Sequence, residues 1–294
     1  MIPFVTSFPF TYRTPEAMSA RITRIIAENP GPFTFTGTGT YLVGGEQSVA
    51  VIDPGPDRQD HLEAILTHSP GPITHIVITH THRDHSALAS ALKEKTGAPI
   101  YGFGAHPTAP GEAPMALDEG ADFDFEADVP IRDGDIITGP GWTLTAVGTP
   151  GHTGNHLCFC LEEEQVLFTG DHMMGWSTTV VAPPDGNMGD YMESLETLLR
   201  REDQRYYPTH GAPIDDPKPF VEAVKAHRQK RDAEIVAALT KAPQSPKDIA
   251  EKVYTDIDKA LLPAASLNVM AHLAMHLKAE RIQKNSDGFY ITPK

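Results

Sequence analysis

Thr79-His80-Thr81-His82-Arg83-Asp84-His85 decides how this sequence is read. It continues the apolar run ITHIVIT, residues 73–79, whose β-branched content is that of a buried strand. Three imidazoles and a carboxylate therefore fall within six residues of a strand end, where a turn can splay them into one cavity. Imidazole together with carboxylate suits borderline divalent cations such as Zn²⁺, Fe²⁺ or Mn²⁺. In a chain with 14 histidines, any one of them reads most simply as packed or solvated. His80, His82, Asp84 and His85 together, behind a buried strand, read as metal ligands.

Three more strand ends each carry one candidate ligand beside a glycine, which lets backbone pass close to an ion. Pro150-Gly151-His152-Thr153 follows the strand 142–147, Gly170-Asp171 follows 166–169, and Thr209-His210-Gly211 follows Tyr206-Tyr207. Each is weak alone. With the first four they make seven ligands, in an order that can form two sites sharing a carboxylate.

The 294 residues are 40% hydrophobic and 21% charged, enough for one large domain with a small companion. No run reaches the ~18–20 apolar residues of a membrane span, and the N-terminus has no secretory pattern. A cytoplasmic protein without membrane contact is expected. Cys158 and Cys160 stand at i, i+2 in a strand, a spacing that would strain a disulfide, so they read as reduced core residues. The net charge is −15, but residues 218–294 carry 13 Lys and Arg against 9 Asp and Glu, a net of +4. Residues 1–217 then carry −19, and the contrast places a domain boundary near Lys218. An acidic body disfavours long-range attraction of nucleic acid.

Within 1–217 the pattern predicts strands at 33–42, 48–52, 73–79, 100–103, 135–138, 142–147, 156–161 and 166–169. Helices are predicted at 61–66, 86–96 and 190–200. Residues 106–128, rich in Pro, Gly and acid, read as an exposed arm, and 173–189 as a loop over the site. Residues 218–294 read as helices at 220–239, 245–253 and 267–278, then β-like segments around Ser286-Asp287-Gly288. Three helices and a hairpin are the order of a winged-helix module.

In sequence, THTHRDHS, PGHT, FTGD and PTHG, with VIDPGP upstream, resemble the metallo-β-lactamase-fold hydrolases between residues 52 and 211. The resemblance implies an α/β fold, an αββα sandwich of two mixed sheets with the metals at one edge. It implies two divalent ions, Zn²⁺ ahead of Fe²⁺ or Mn²⁺. His80, His82 and His152 would bind the first, Asp84, His85 and His210 the second, and Asp171 would bridge them. Asp53 matches the family's strand-end aspartate, which supports the ligands from behind; the plainer alternative is a cap for its Pro-Gly-Pro turn. The stretch GDHMMGWSTTVVAPPDGNMGDYMESLETLL, then YYPTHGAPI, is similar to the β-lactamase-like protein 2 branch, which ends in a winged helix that residues 261–281 resemble. Two positions depart from that branch. PTHG stands where PGHG is commoner, and His172 stands where a smaller residue is common, either packing or touching substrate.

Such a centre implies a metal-bound hydroxide attacking an acyl carbon or a phosphorus, with Asp84 orienting it. A serine nucleophile is disfavoured by the absence of G-x-S-x-G, and a cysteine nucleophile by the core position of Cys158 and Cys160. A pure binding module would leave seven ligands idle. Di-iron redox chemistry of the flavodiiron type calls for an electron donor, and those proteins carry an acidic ligand where this chain has His82. Two substrate classes stay open. One is a small ester, thioester or lactone, in keeping with a similarity to glyoxalase II. The other is single-stranded RNA, cut by an endoribonuclease or phosphodiesterase as the branch implies. The +4 tail favours RNA, and Lys278, Arg281 and Lys284 could form a basic strip there, although surface solvation is their plainer use; the acidic body tips the reading to the small molecule. The tail is expected to shape the site entrance or a homodimer contact through Leu261, Leu262, Leu267, Met270, Leu273 and Leu277.

Overall fold

The computed structural model describes residues 1–107, 120–255, 257–285 and 290–291. The β-branched runs pair into two mixed sheets. The first follows chain order: β1 (Glu16–Ala17), β2 (Ile22–Ile26), β3 (Gly39–Gly45), β4 (Ser48–Ile52), β5 (Ile73–Val77), β6 (Ile100–Gly102) and β7 (Val129–Pro130). Pairing is antiparallel from β1 to β4 and parallel from β4 to β7. Helix α1 (Gln59–His68) lies between β4 and β5; α2 (Arg83–Ser86) and α3 (Ala89–Thr96) lie between β5 and β6. The second sheet holds β8 (Ile136–Gly139), β9 (Trp142–Gly148), β10 (Leu157–Leu161), β11 (Val166–Gly170) and β12 (Arg205–Pro208), in spatial order β12-β11-β10-β9-β8. Only β11 and β12 pair in parallel there, with α4 (Met188–Leu199) between them in the chain.

Side chains alternate across each strand, so each sheet has two apolar faces to cover. Tyr41, Val43, Ile52 and Val77 meet Leu144, Phe159, Phe168 and Tyr207 between the sheets. Leu42, Val49, Val51 and Ile76 point the other way, against Leu62 and Ile65 of α1 and Leu92 of α3. Cys158, Leu167 and Tyr206 on the second sheet's outer face pack with Tyr191, Leu195 and Leu198 of α4, and with Phe220, Val221 and Val224 of α5 (Pro217–Ala238). The layers are therefore α-β-β-α. Both cysteines are free and buried as expected, and burial pushes both thiols up to about 12.

Beyond α5 come α6 (Pro246–Val253), α7 (Leu262–Lys278) and the strand pair β13 (Gln283–Lys284) and β14 (Tyr290–Ile291). Ser245 starts α6 with a capping box: its side chain accepts from Asp248 N–H, and the Asp248 carboxylate accepts from Ser245 N–H. Ile235, Leu239, Ile249, Val269 and Leu273 form a core of their own. Helix α5 is common to both cores, its first half on α4 and its second half in the C-terminal cluster.

Several local expectations are corrected. The strand at 33–42 begins only at Gly39. Residues 33–38 turn instead, because Asn29 accepts from Thr38 N–H and donates to Thr38 Oγ1. Gly37 sits there at φ 119°, where an added Cβ would lie 2.1 Å from Ala27 O. Strand β2 was not anticipated, and α7 begins at Leu262 rather than at 267. The described ends of the 106–128 segment are not an exposed arm. His106 Nδ1 meets Thr81 Oγ1 at 2.8 Å, Asp122 N–H donates to Thr81 O, and the Asp122 carboxylate accepts from Ser86. The middle of that segment and the turn at 286–288 lie outside the described residues.

Truncation after Asp216 would strip Phe220, Val221 and Val224 from α4, at about 1.5–3 kcal/mol for each large apolar side chain left uncovered. The truncated chain is expected to be insoluble or inactive. Soluble yield and turnover of a small substrate check this, and a soluble form with unchanged turnover would make the tail an independent appendage.

Candidate metal centre

Asp53 leaves β4 in the left-handed region, at φ 50°, and is fully buried. Its Oδ1 accepts Thr79 N–H at 2.8 Å. Its Oδ2 accepts from Thr79 Oγ1 at 2.8 Å, His85 Nδ1 at 2.8 Å and Thr209 Oγ1 at 3.0 Å. One carboxylate thus joins the segments that leave β4, β5 and β12. This places Asp53 behind the cluster rather than only at its Pro-Gly-Pro turn.

Outer partners decide which ring nitrogen of each histidine faces inward. The Thr79 hydroxyl proton goes to Asp53, so Thr79 Oγ1 accepts from His80 Nδ1 at 3.1 Å and leaves Nε2 with its lone pair. His85 donates Nδ1–H to Asp53, His210 to Gly37 O at 3.1 Å, and His152 to Val180 O at 2.7 Å. The inward atoms then fall into two groups. His82 Nδ1 lies 3.0 Å from His80 Nε2 and 3.1 Å from His152 Nε2. Asp84 Oδ2 lies 3.1 Å from His210 Nε2 and 3.5 Å from His85 Nε2. Asp171 stands between, with Oδ1 at 3.5 Å from His85 Nε2 and 3.4 Å from His210 Nε2, and Oδ2 at 3.8 Å from His152 Nε2.

All seven predicted ligands are therefore together, and His80–His82–His152, His80–His85–Asp171 and Asp84–His85–His210 each bring three ligand atoms within 4.8 Å. The donor set fits divalent cations. Asp84 Oδ1, His85 Nε2 and Asp171 Oδ1 are buried without a hydrogen-bond partner, a costly state that a cation relieves. Burial, then the neighbouring histidines, holds the His80 pKa far below the usual value, leaving a neutral imidazole. Burial also opposes charge on His85 and His210, but the carboxylates of Asp84 and Asp171 outweigh it and raise both. Burial alone would raise Asp84 and Asp171; His85 and His210 hold both below the ordinary range. The carboxylates are thus ready as ligands, and a bound cation would take the place of the imidazolium protons.

His172 lies apart from the others. It is fully buried against Tyr191, ring centroids 4.7 Å apart, and does not line the cavity in front of the cluster. Burial, with His152 and Arg228 nearby, lowers its pKa to about 3. It packs as a neutral ring against Tyr191.

Other contributors escape sequence reasoning. His156 Nε2 accepts Asp171 N–H at 3.1 Å, which aims that carboxylate; the signal was a histidine four residues after His152. Thr179 Oγ1 and Val180 O both meet His152 Nδ1. This strap is held from the C-terminal helices: Arg228 donates to Thr179 O, and Asn268 Oδ1 accepts Val181 N–H at 3.0 Å. A basic residue on a long helix gives no signal of such a role.

A cavity of about 490 Å³ opens onto His82, His152 and Asp171. Phe33, Phe123, Trp176, Val180, Pro183 and Leu261 are among its walls. No Lys or Arg lines it among the described residues, and the sequence of 108–119 contains neither.

A family model described as the metallo-beta-lactamase superfamily matches residues 34–210, and one described as a beta-lactamase associated winged helix domain matches 245–288. A Caenorhabditis elegans protein named Beta-lactamase-like protein 2 homolog is 34% identical over 264 residues, 86% of this chain and 83% of that one. An atrochrysone carboxyl ACP thioesterase of Cryptosporiopsis sp. is 31% identical over 227 residues, 76% of this chain and 64% of that one. The crystal structure of a metallo-beta-lactamase family protein from Thermus thermophilus superposes with a TM-score of 0.79 at 23% identity, covering 94% of this chain and 100% of that one.

Asp171→Ala is expected to lose more metal than Asp53→Ala, because Asp171 faces both groups whereas Asp53 orients His85 from behind. Loss of an outer partner costs ~10–100-fold in affinity or activity. Elemental analysis of both variants checks the order; equal metal content with full activity in Asp171→Ala would contradict it.

Proposed function

This chain belongs to the metallo-β-lactamase superfamily, and on that footing we propose a dinuclear-metal hydrolase, with zinc, acting on a small thioester, ester or lactone. The observation that carries it is Asp171, whose two carboxylate oxygens face the two ligand groups separately. His80, His82 and His152 would hold one ion, and Asp84, His85 and His210 the other, with Asp171 available to both. Two bound divalent cations supply Lewis acidity and a water that ionises near neutral pH. Asp84 keeps its carboxylate ionised beside His85 and His210, so its buried Oδ1 accepts a hydrogen bond from the attacking water and aims it. Water oxygen adds to the acyl carbon, the C–S or C–O bond breaks, and the thiol or alcohol leaves with a proton from that water. The products are an acid and a thiol or alcohol, which for a lactone are the two ends of one hydroxy acid.

The lack of cationic side chains among the described residues of the cavity supports the small molecule over a polyanion, and the resemblance to a thioesterase supports the acyl class. Single-stranded RNA is the second reading, and the exposed Lys278, Arg281 and Lys284 are what favour it. RNA binding through such a strip would weaken with salt at a log–log slope of roughly −0.7 per phosphate contacted.

The test is metal analysis of protein purified without chelator, then thioester hydrolysis beside RNA cleavage across a salt series, with Asp84→Ala as blank. Close to two metals per chain and salt-insensitive thioester turnover are expected. Metal near zero, not restored by added Zn²⁺, Mn²⁺ or Fe²⁺, would refute the dinuclear centre. Salt-sensitive RNA cleavage that is absent from the blank, without thioester turnover, would replace the substrate assignment.

A further inference from the structure

In a helix-turn-helix pair that reads nucleic acid, the second helix enters the groove. Here that helix is α7, and it is not free to do so. Ala264, Ala265, Leu267, Asn268, Val269, Ala271, His272, Leu273 and His276 are buried along it. Val269 and Leu273 fill the C-terminal core, and Ala271 joins the cluster around α4. A third stripe, Leu261, Ala264, Ala265 and Asn268, lines the cavity in front of His82, His152 and Asp171. Its spacing is i, i+3, i+4, i+7, one face of a helix. Asn268 is the stripe's polar member, and its Oδ1 is taken up by Val181 N–H and Arg228. What the stripe shows the cavity is therefore apolar. Trp176, Val180, Pro183 and Pro184 stand in the same lining. Leu261 and Phe123 are each 40% exposed there, apolar surface that an apolar ligand would cover.

We infer that this stripe of α7 is the acyl-selecting wall of the active site: the cavity takes an apolar acyl group, and Leu261, Ala264 and Ala265 set its size. The acyl carbonyl rests on the hydrolase reading above; the apolar occupant rests on the lining alone. Two alanines where larger residues would fill the space leave the room, and about 490 Å³ is enough for a medium-length chain.

The test uses the intact zinc-loaded protein, with acetyl, hexanoyl and decanoyl thioesters of one thiol, and decanoate as a binding probe. Trp176 lines the cavity while the second tryptophan, Trp142, is buried in the core, so an emission change on adding decanoate reports the cavity. Hexanoyl is expected to exceed acetyl in kcat/KM by about 10-fold or more. Ala264→Phe, at a lining alanine outside the C-terminal core cluster to which Ala265 also belongs, should lower the hexanoyl-to-acetyl ratio by about 10-fold. Leu261→Ser, at an exposed position that does not threaten folding, should weaken decanoate binding. A decanoate response sensitive to both substitutions supports the wall even if no thioester is turned over, a result that would sink the hydrolase reading instead. Thioester turnover without chain-length preference or decanoate response would overturn the wall and leave the hydrolase reading standing. A decanoate response unchanged in both variants would also overturn the wall.

Discussion

The Asp53 carboxylate is the joint on which the site depends. Four donors from two other segments converge on it, so the strand ends that carry His80, His85 and His210 are tied to one buried group. A buried carboxylate is tolerated only when its oxygens are satisfied by donors. That requirement works in both directions: the donors stabilise the charge, and the charge fixes where the donors stand. It also acts on orientation, since the proton His85 gives to Asp53 leaves the opposite nitrogen facing Asp84 and Asp171. The sandwich brings five strand ends to one edge; Asp53 ties together three of them, those of β4, β5 and β12.

A second layer of the same logic runs outward from His152. Its Nδ1 proton goes to Val180, and the strap 179–181 is in turn gripped by Arg228 and Asn268. Helices that follow the catalytic body in the chain thus reach the cluster through two hydrogen bonds. Burial of the Arg228 guanidinium, against Tyr191 and the strap, couples the two cores that share α5. The C-terminal module is in this sense part of the active-site frame.

The sequence made the ligand set legible because each ligand sits in a short motif next to a strand, and a strand end is a local property. The same holds for Ser245 and its capping box, and for the buried cysteines. Features that depend on distant partners were not legible. The turn at 33–38 exists because Asn29 captures Thr38, which alternating Thr and apolar residues do not announce. Residues 120–125 look like a solvated acidic arm until Asp122 is seen accepting from Ser86. His172 carried an ambiguous signal, and its contact with Tyr191 depends on a helix that follows it in the chain. Arg228 and α7 look like ordinary helix surface, and only the tertiary arrangement turns them toward the site.

The walls of the cavity come from widely separated parts of the chain: Phe33, Phe123, the segment from 176 to 185, and Leu261 to Asn268. Synthesis proceeds from the N-terminus, and domains fold as they emerge. The last of the seven candidate ligands, His210, leaves the ribosome some 50 residues before Leu261. During that interval a nascent chain holds the full set of metal donors without the wall that encloses them. In the order of synthesis the candidate donors are thus complete before the last wall of the cavity is made.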